Sequence, residues 1–308
     1  MSGVTWRELA PGVGAVQGPD GSPLARYSWL RANHPYFDEI RPLQHRGVLS
    51  THAPHDHRWH HGLWWSWKYL NDVLFWEDHP GYGGNRSGLG RSVVTGHAVE
   101  ETDGSVVVRD ELAWRVDATG EDLLHEQRVV RIAADAEARA WTMDWDQTWS
   151  ADVPVRLDAT PWPSTSWGGY AGLNYRPARS MATDELVLGD GRQGVAQLHG
   201  EPSAWAAYGG VVDGAENDEP AEPARGTVAL LQHPDNPGYP SPIYCFSATT
   251  DFGFLATAPL MRTRLELASP EQLRLRTRVV VLGEAADAQQ LAEAHRTYAA
   301  TGATAPPA

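Results

Sequence analysis

A single cysteine, Cys245, leaves the 308-residue sequence with neither an internal disulfide nor a thiolate-rich metal site. Within the run IYCF it reads as a small core residue. Lysine is also nearly absent. Lys68 stands alone against twenty-four arginines, a compositional bias to which no functional meaning attaches. No run reaches the roughly 18 apolar residues of a membrane span, and the opening MSGVTWRELA lacks a charged and then apolar leader pattern. These features give the expectation of a cytoplasmic protein with no membrane partner. Positive charge is in deficit too, the net charge being −14. That argues against a nucleic-acid partner, which asks for a basic face. A repeat of fixed period and a βαβ rhythm are both missing, which removes solenoids and parallel-sheet folds from consideration.

What is present is alternation with a period of two. Residues 4–30 read as two or more short strands with a turn at Gly18-Pro19-Asp20-Gly21. Ser105–Val116 places Val106, Val108, Leu112 and Trp114 on one face, interrupted by Asp110, and Leu123–Ile132 follows. In Trp141–Trp149 the residues Trp141, Met143, Trp145 and Trp149 take one side and Thr142, Asp144, Asp146 and Thr148 the other. Leu273 to Val281 alternates with Arg274, Arg276 and Arg278. Gly81 to Gly90 and the acidic 211–225 stretch read as loops. Asp287–Ala300 is the one helix expected, being rich in helix formers. The pattern predicts a single all-β domain over 1–300, a large antiparallel sandwich closed by a C-terminal helix, with 301–308 as a frayed tail.

Histidine and tryptophan are concentrated in one stretch. Eight of thirteen histidines lie between His34 and His79, and five of fourteen tryptophans between Trp59 and Trp76. A core does not need imidazoles at this density, because each buried one requires partners, whereas chemistry near neutral pH does. His57 and His61 are the first candidates for proton transfer, with Asp56 orienting one of them. His55, His60, Trp65, Lys68, Trp76 and Glu77 are candidates for binding in the same stretch. Two further clusters add Asn174, Tyr175 and Arg176 from a glycine-rich loop, and His233 from a strand end. A polar network that only holds a loop would use the same residues.

The strings HPYF, GVLSTHAPHDHRWHHGLWWS, LNDVLFWEDH, GYAGLNYR, LQHPDNPGYPSPIY and GFLATAPL, in that order, resemble the bacterial PmoA-like family, a domain of unknown function. The resemblance runs from about residue 30 to 285. It implies a galactose-mutarotase-like β-supersandwich and a role in sugar metabolism; it supplies no catalytic residue. On this combined reading the chain is expected to be a carbohydrate-active enzyme. It would act on a sugar or glycoside by general acid/base catalysis, through epimerisation, β-elimination or hydrolysis, and without a cofactor. One alternative is a non-catalytic sugar-binding or sensing protein. The other is a metal-dependent enzyme holding a divalent ion such as zinc through His55, His57 and His61. Assembly into a homo-oligomer stays open.

Overall fold

The computed structural model describes residues 3–44, 46–79, 88–135, 137–165, 167–181, 185–213, 223–248, 252–285 and 287–302. Most of the glycine-rich 81–90 stretch, the centre of the acidic 211–225 stretch and the tail from 303 lie outside the described residues.

The first five strands, β1 (Thr5–Ala10), β2 (Val13–Gln17), β3 (Pro23–Ser28), β4 (Tyr36–Asp38) and β5 (Leu63–Ser66), pair in sequence as an antiparallel run. Two short strands, β6 (Tyr69–Leu70) and β7 (Val73–Leu74), form a hairpin. The longest strands follow as a meander: β8 (Gly90–Thr102), β9 (Ser105–Val116), β10 (Asp122–Asp135) and β11 (Ala140–Ser150). After β12 (Val155–Asp158) and β13 (Gly172–Tyr175) come β14 (Leu186–Leu188), the short helix α1 (Val195–Leu198), β15 (Trp205–Val211) and β16 (Arg225–Gln232). The chain ends with β17 (Ile243–Ala248), β18 (Phe252–Thr257), β19 (Leu265–Leu267), β20 (Gln272–Leu282) and helix α2 (Ala288–Ala299).

These strands make three sheets. One has the order β1-β2-β3-β4-β5-β13-β18-β17, the second β14-β15-β16-β20-β11-β10-β9-β8, and a four-stranded one β19-β12-β6-β7. The two eight-stranded sheets face each other across one apolar core. Trp65 of the first lies 5.0 Å from Trp149 of the second, and Phe37 meets Trp145 edge-on at 5.7 Å. The expected antiparallel sandwich with a terminal helix is the observed architecture.

Strand β11 shows why. Trp141, Met143, Trp145 and Trp149 are fully buried, while Thr142, Asp144, Asp146 and Thr148 are half-exposed on the far side. Four large side chains, each worth roughly 1.5–3 kcal/mol or more when buried, fix the strand's register, since a one-residue slip would expose them all. On the outer face Asp144 and Asp146 pair with Arg278 and Arg274 of β20. Gln147, on the tryptophan side, is the exception. Its amide donates to Glu126 inside the core, at 2.8 Å. Asp110, which interrupts the apolar face of β9, is buried and accepts from Tyr27 and His97. Helix α2 is capped by Asp287, whose carboxylate accepts from the backbone N–H of Gln289 and Gln290. Its Leu291 and Tyr298 cover the outer face of the second sheet. Among the described residues no helix is long and apolar enough to cross a membrane.

Candidate functional site

The outer face of the first sheet carries its own apolar cluster, and a cavity of about 440 Å³ opens over it. β-Alternation supplies the floor. Trp64 of β5, Tyr244 of β17 and Phe254 of β18 point outward, whereas Leu63, Trp65, Cys245 and Leu255, their chain neighbours, point into the sandwich. Loops supply the walls: His57, Trp59 and His60 from the 51–62 loop, Trp76 and Glu77 after β7, and Trp167 and Tyr170 before β13. Phe246 and Phe252 complete the lining.

The 51–62 loop is pinched at its base. Gly62 N–H donates to Thr51 O at 2.9 Å, and Ala53 N–H to His60 O at 2.8 Å. Gly62 has φ +47, and a Cβ there would sit 2.5 Å from the Phe37 carbonyl oxygen, so this crossing needs glycine. At the tip, Asp56 accepts from His57 Nδ1 at 2.8 Å and from Arg179 at 2.8 Å, with Arg176 at 3.4 Å. Partial burial raises the Asp56 pKa, but the hydrogen bonds from His57 and the backbone and the charge of Arg176 outweigh it and hold the carboxylate below its usual range. Asp56 thus engages Nδ1 of His57 and leaves Nε2 as the other ring nitrogen. Arg176 is buried and stacks on Phe252, 3.8 Å from its ring centre; burial brings its pKa down to about 10.

Behind the opposite wall Lys68, fully buried, donates to both Glu77 oxygens at 2.5 and 2.7 Å and to the Tyr170 hydroxyl at 2.6 Å. Tyr170 in turn donates to Glu77 at 3.2 Å. Burial lowers the Lys68 pKa to about 8 against the opposing pull of Glu77. The same burial, with the Glu77 charge, pushes the Tyr170 phenol well above its ordinary value, so it stays protonated. Next to His57, the ring of His60 stacks at 4.7 Å, and its Nδ1 is buried without a protein partner. Burial, then Arg176, drives its pKa well below the usual value and keeps it neutral.

Of the residues singled out in the sequence, His57, His60, Trp76 and Glu77 line the cavity, while Lys68, Asp56 and Arg176 stand directly behind lining residues. His55 is exposed and faces Arg179. His61 lies elsewhere, although it follows His60 directly. Its Nδ1 is 3.4 Å from His52 Nδ1, its Nε2 3.4 Å from Asn33, and its ring stacks on Tyr36. His55 and His57 flank the Asp56 carboxylate while His61 faces away from it, and among the described residues no group of three or more His, Cys, Asp or Glu side chains is placed to hold a metal ion. Trp65 and Tyr175 belong to the sandwich core. Asn174 is buried and spends its amide on the carbonyls of Trp64 and Gly172. His233 is on the second sheet, tied to Arg276 and to Asp235, with Thr301 O 3.2 Å from Nε2. A strand end with His, Asp and Asn looked like a binding cluster and is a turn that anchors the start of the tail.

The aromatic lining from β17 and β18 has no signal of its own in the sequence, since Tyr244, Phe246, Phe252 and Phe254 sit in short apolar runs without polar alternation. Tyr170 belongs to the same glycine-rich motif as Asn174 and Arg176, and it is the member of that motif that lines the cavity.

No curated protein matches the sequence. Solved structures that it resembles include a proposed mutarotase (YeaD) from Salmonella typhimurium, 12% identical over 91% of this chain and 94% of that one, with a TM-score of 0.33. Another is the GH36 α-galactosidase AgaB from Geobacillus stearothermophilus, 11% identical over 92% of this chain and 41% of that one, with a TM-score of 0.34. Likenesses this loose carry no site residue across. The PmoA-like name finds no support in these comparisons. Residues 17–296 match DUF6807, a family of unknown function, and the chain belongs to that family.

Proposed function

We propose that the cavity over the first sheet binds a sugar or glycoside and that the protein is a carbohydrate-active enzyme working by general acid/base catalysis. The observation that carries this reading is the placement of two polar groups, each with its own charged support, in one aromatic cavity. They are His57, oriented by Asp56, and Tyr170, backed by Lys68 and Glu77. Flat aromatic walls suit the apolar C–H faces of a pyranose, and a few polar groups fix its hydroxyls.

In this mechanism His57 Nε2 accepts a proton from the substrate, and Asp56 stabilises the imidazolium that results. The Tyr170 hydroxyl turns its one proton from Glu77 to the oxygen where negative charge develops. The Lys68 ammonium, behind it, strengthens that donor. Glu77 accepts from a substrate hydroxyl. His61, first expected to share proton transfer, has no part in it.

One observation favours a second reading, sugar binding without turnover. The one proton of Tyr170 is already donated to Glu77, whose two oxygens Lys68 holds in place. The deciding experiment uses His57→Ala and Tyr170→Phe, assayed on a panel of sugars, glycosides and their keto-oxidised forms, alongside melting temperature. Loss of turnover by about 10²-fold or more, with the melting temperature nearly kept, supports the enzyme. Wild-type turnover in both variants rejects it, and saturable sugar binding with no turnover in the wild type selects the binding protein.

A further inference from the structure

Eight of the eleven residues lining the cavity are aromatic, two of them tyrosines, and of the polar groups His57, Glu77 and the Tyr170 hydroxyl are each tied to a neighbour while His60 is held neutral by burial. A free hexose presents hydroxyls on every side and asks for more polar partners than this. Size points the same way, since about 440 Å³ falls in the ~300–1,000 Å³ range of pockets for drug-sized ligands.

The mouth adds a separate observation. Among the described residues, five large hydrophobic side chains are exposed, and the two aromatic ones, Trp167 (50% exposed) and Phe246 (39%), both line this cavity. Phe246 meets Phe252 edge-on at 5.3 Å, which continues the aromatic wall out to solvent. Exposed rings at a cavity rim are apolar surface that a ligand would cover.

An aromatic box with a carboxylate could instead suit an organic cation, but the charges oppose that. Arg176 already occupies a face of Phe252 and Lys68 lies 4.6 Å from the ring centre of Tyr170. Lys68, Arg176 and Arg179 together outnumber Glu77 and Asp56, so a second cation would enter a positive surround. A neutral, planar apolar group meets no such penalty.

Building on the sugar-site reading above, we infer that the substrate class is glycosides of planar apolar aglycones. The sugar lies inward against His57, Glu77 and Tyr170, and the aglycone lies between Trp167 and Phe246 at the mouth. The aglycone then supplies most of the binding, while the few inner polar groups select the sugar.

The test is calorimetric titration of the intact protein with the phenyl and methyl glycosides of glucose and galactose, both anomers, and with phenol alone. The expected result is that at least one phenyl glycoside binds about tenfold or more tightly than its methyl counterpart. That ratio should fall towards one in the Trp167→Ala/Phe246→Ala double variant, whose replaced side chains are solvent-exposed and peripheral to the fold. Equal binding of phenyl and methyl glycosides by the wild type would overturn the aglycone subsite and leave the sugar site standing. Phenol binding as tightly as the phenyl glycosides would overturn both. Failure of every phenyl glycoside to bind at millimolar concentration would overturn the inference as well.

Discussion

Neighbouring imidazoles in this chain meet opposite fates. His57 lies at a cavity wall with a carboxylate on Nδ1, His60 is sealed beneath it, and His61 turns away to His52 and Asn33. Their density in the sequence marks the stretch that supplies much of the cavity wall, and the pairing of Asp56 with a histidine was readable too. Which imidazole faces the cavity was not, because that depends on the tight crossing at Gly62 and on contacts with β18, nearly two hundred residues away. Burial has a measurable consequence here. His34, fully buried, has its pKa lowered to about 3 by desolvation, and His60 and His61 are also held well below 6.5, chiefly by burial. Below about pH 6.5 these groups take up protons in the unfolded chain but not in the folded one, so stability falls as pH falls, and for His34 the fall continues towards pH 3. Each group adds up to about 1.4 kcal/mol per pH unit in that window. Denaturant titrations at pH 7.5, 6.0 and 5.0 should show this slope, reduced by about one proton in His34→Gln. A flat profile would mean that these imidazoles are hydrated and protonated in the folded protein.

Strands divide the work between faces, and β5 does so within four residues. Trp65 faces the sandwich, 5.4 Å from Trp67 and 5.0 Å from Trp149, while Trp64 faces the outer cluster and lies beneath the cavity-lining His60 at 5.3 Å. Strand β11 was legible because a clear period of two survives over its whole length, β20 because arginines alternate with apolar residues along its first half, and α2 because its cap and composition agree. The short strands β4, β5, β6 and β7 are buried on both faces, so no polar alternation marks them. For the same reason the cavity's strand-borne aromatics stayed hidden in apolar sequence. The division predicts that Trp65→Leu lowers stability, by on the order of 2–3 kcal/mol, with ligand affinity unchanged. Trp64→Leu should also weaken affinity, about tenfold, by loosening the floor under His60. Chemical denaturation and titration of both variants with the tightest phenyl glycoside decide the matter. Equal losses of affinity would show that the two faces are not independent.

At the scale of the whole molecule the decisive property is charge. A net charge of −14 and an isoelectric point of about 5.3 keep copies apart at neutral pH. Much of the outer face of the second sheet is built from neutralising pairs, Asp144 with Arg278 and Asp146 with Arg274, with Arg276 holding the carbonyls of Thr301 and Gly302. Exposed pairs of this kind contribute only about 0–1 kcal/mol each to the fold, so their main effect is on how the surface meets another molecule. Acidification therefore acts twice, and the two effects have different shapes. Stability falls steadily below about pH 6.5, because buried imidazoles resist protonation. Self-association instead peaks where the net charge vanishes and recedes once the protein becomes positive. Light scattering of the protein from pH 7.5 to 4 should pass through a maximum near pH 5.3, while the denaturation midpoint declines across the same range without a minimum. Scattering that rises all the way to pH 4, in step with the lost stability, would show that unfolding rather than charge neutralisation drives association.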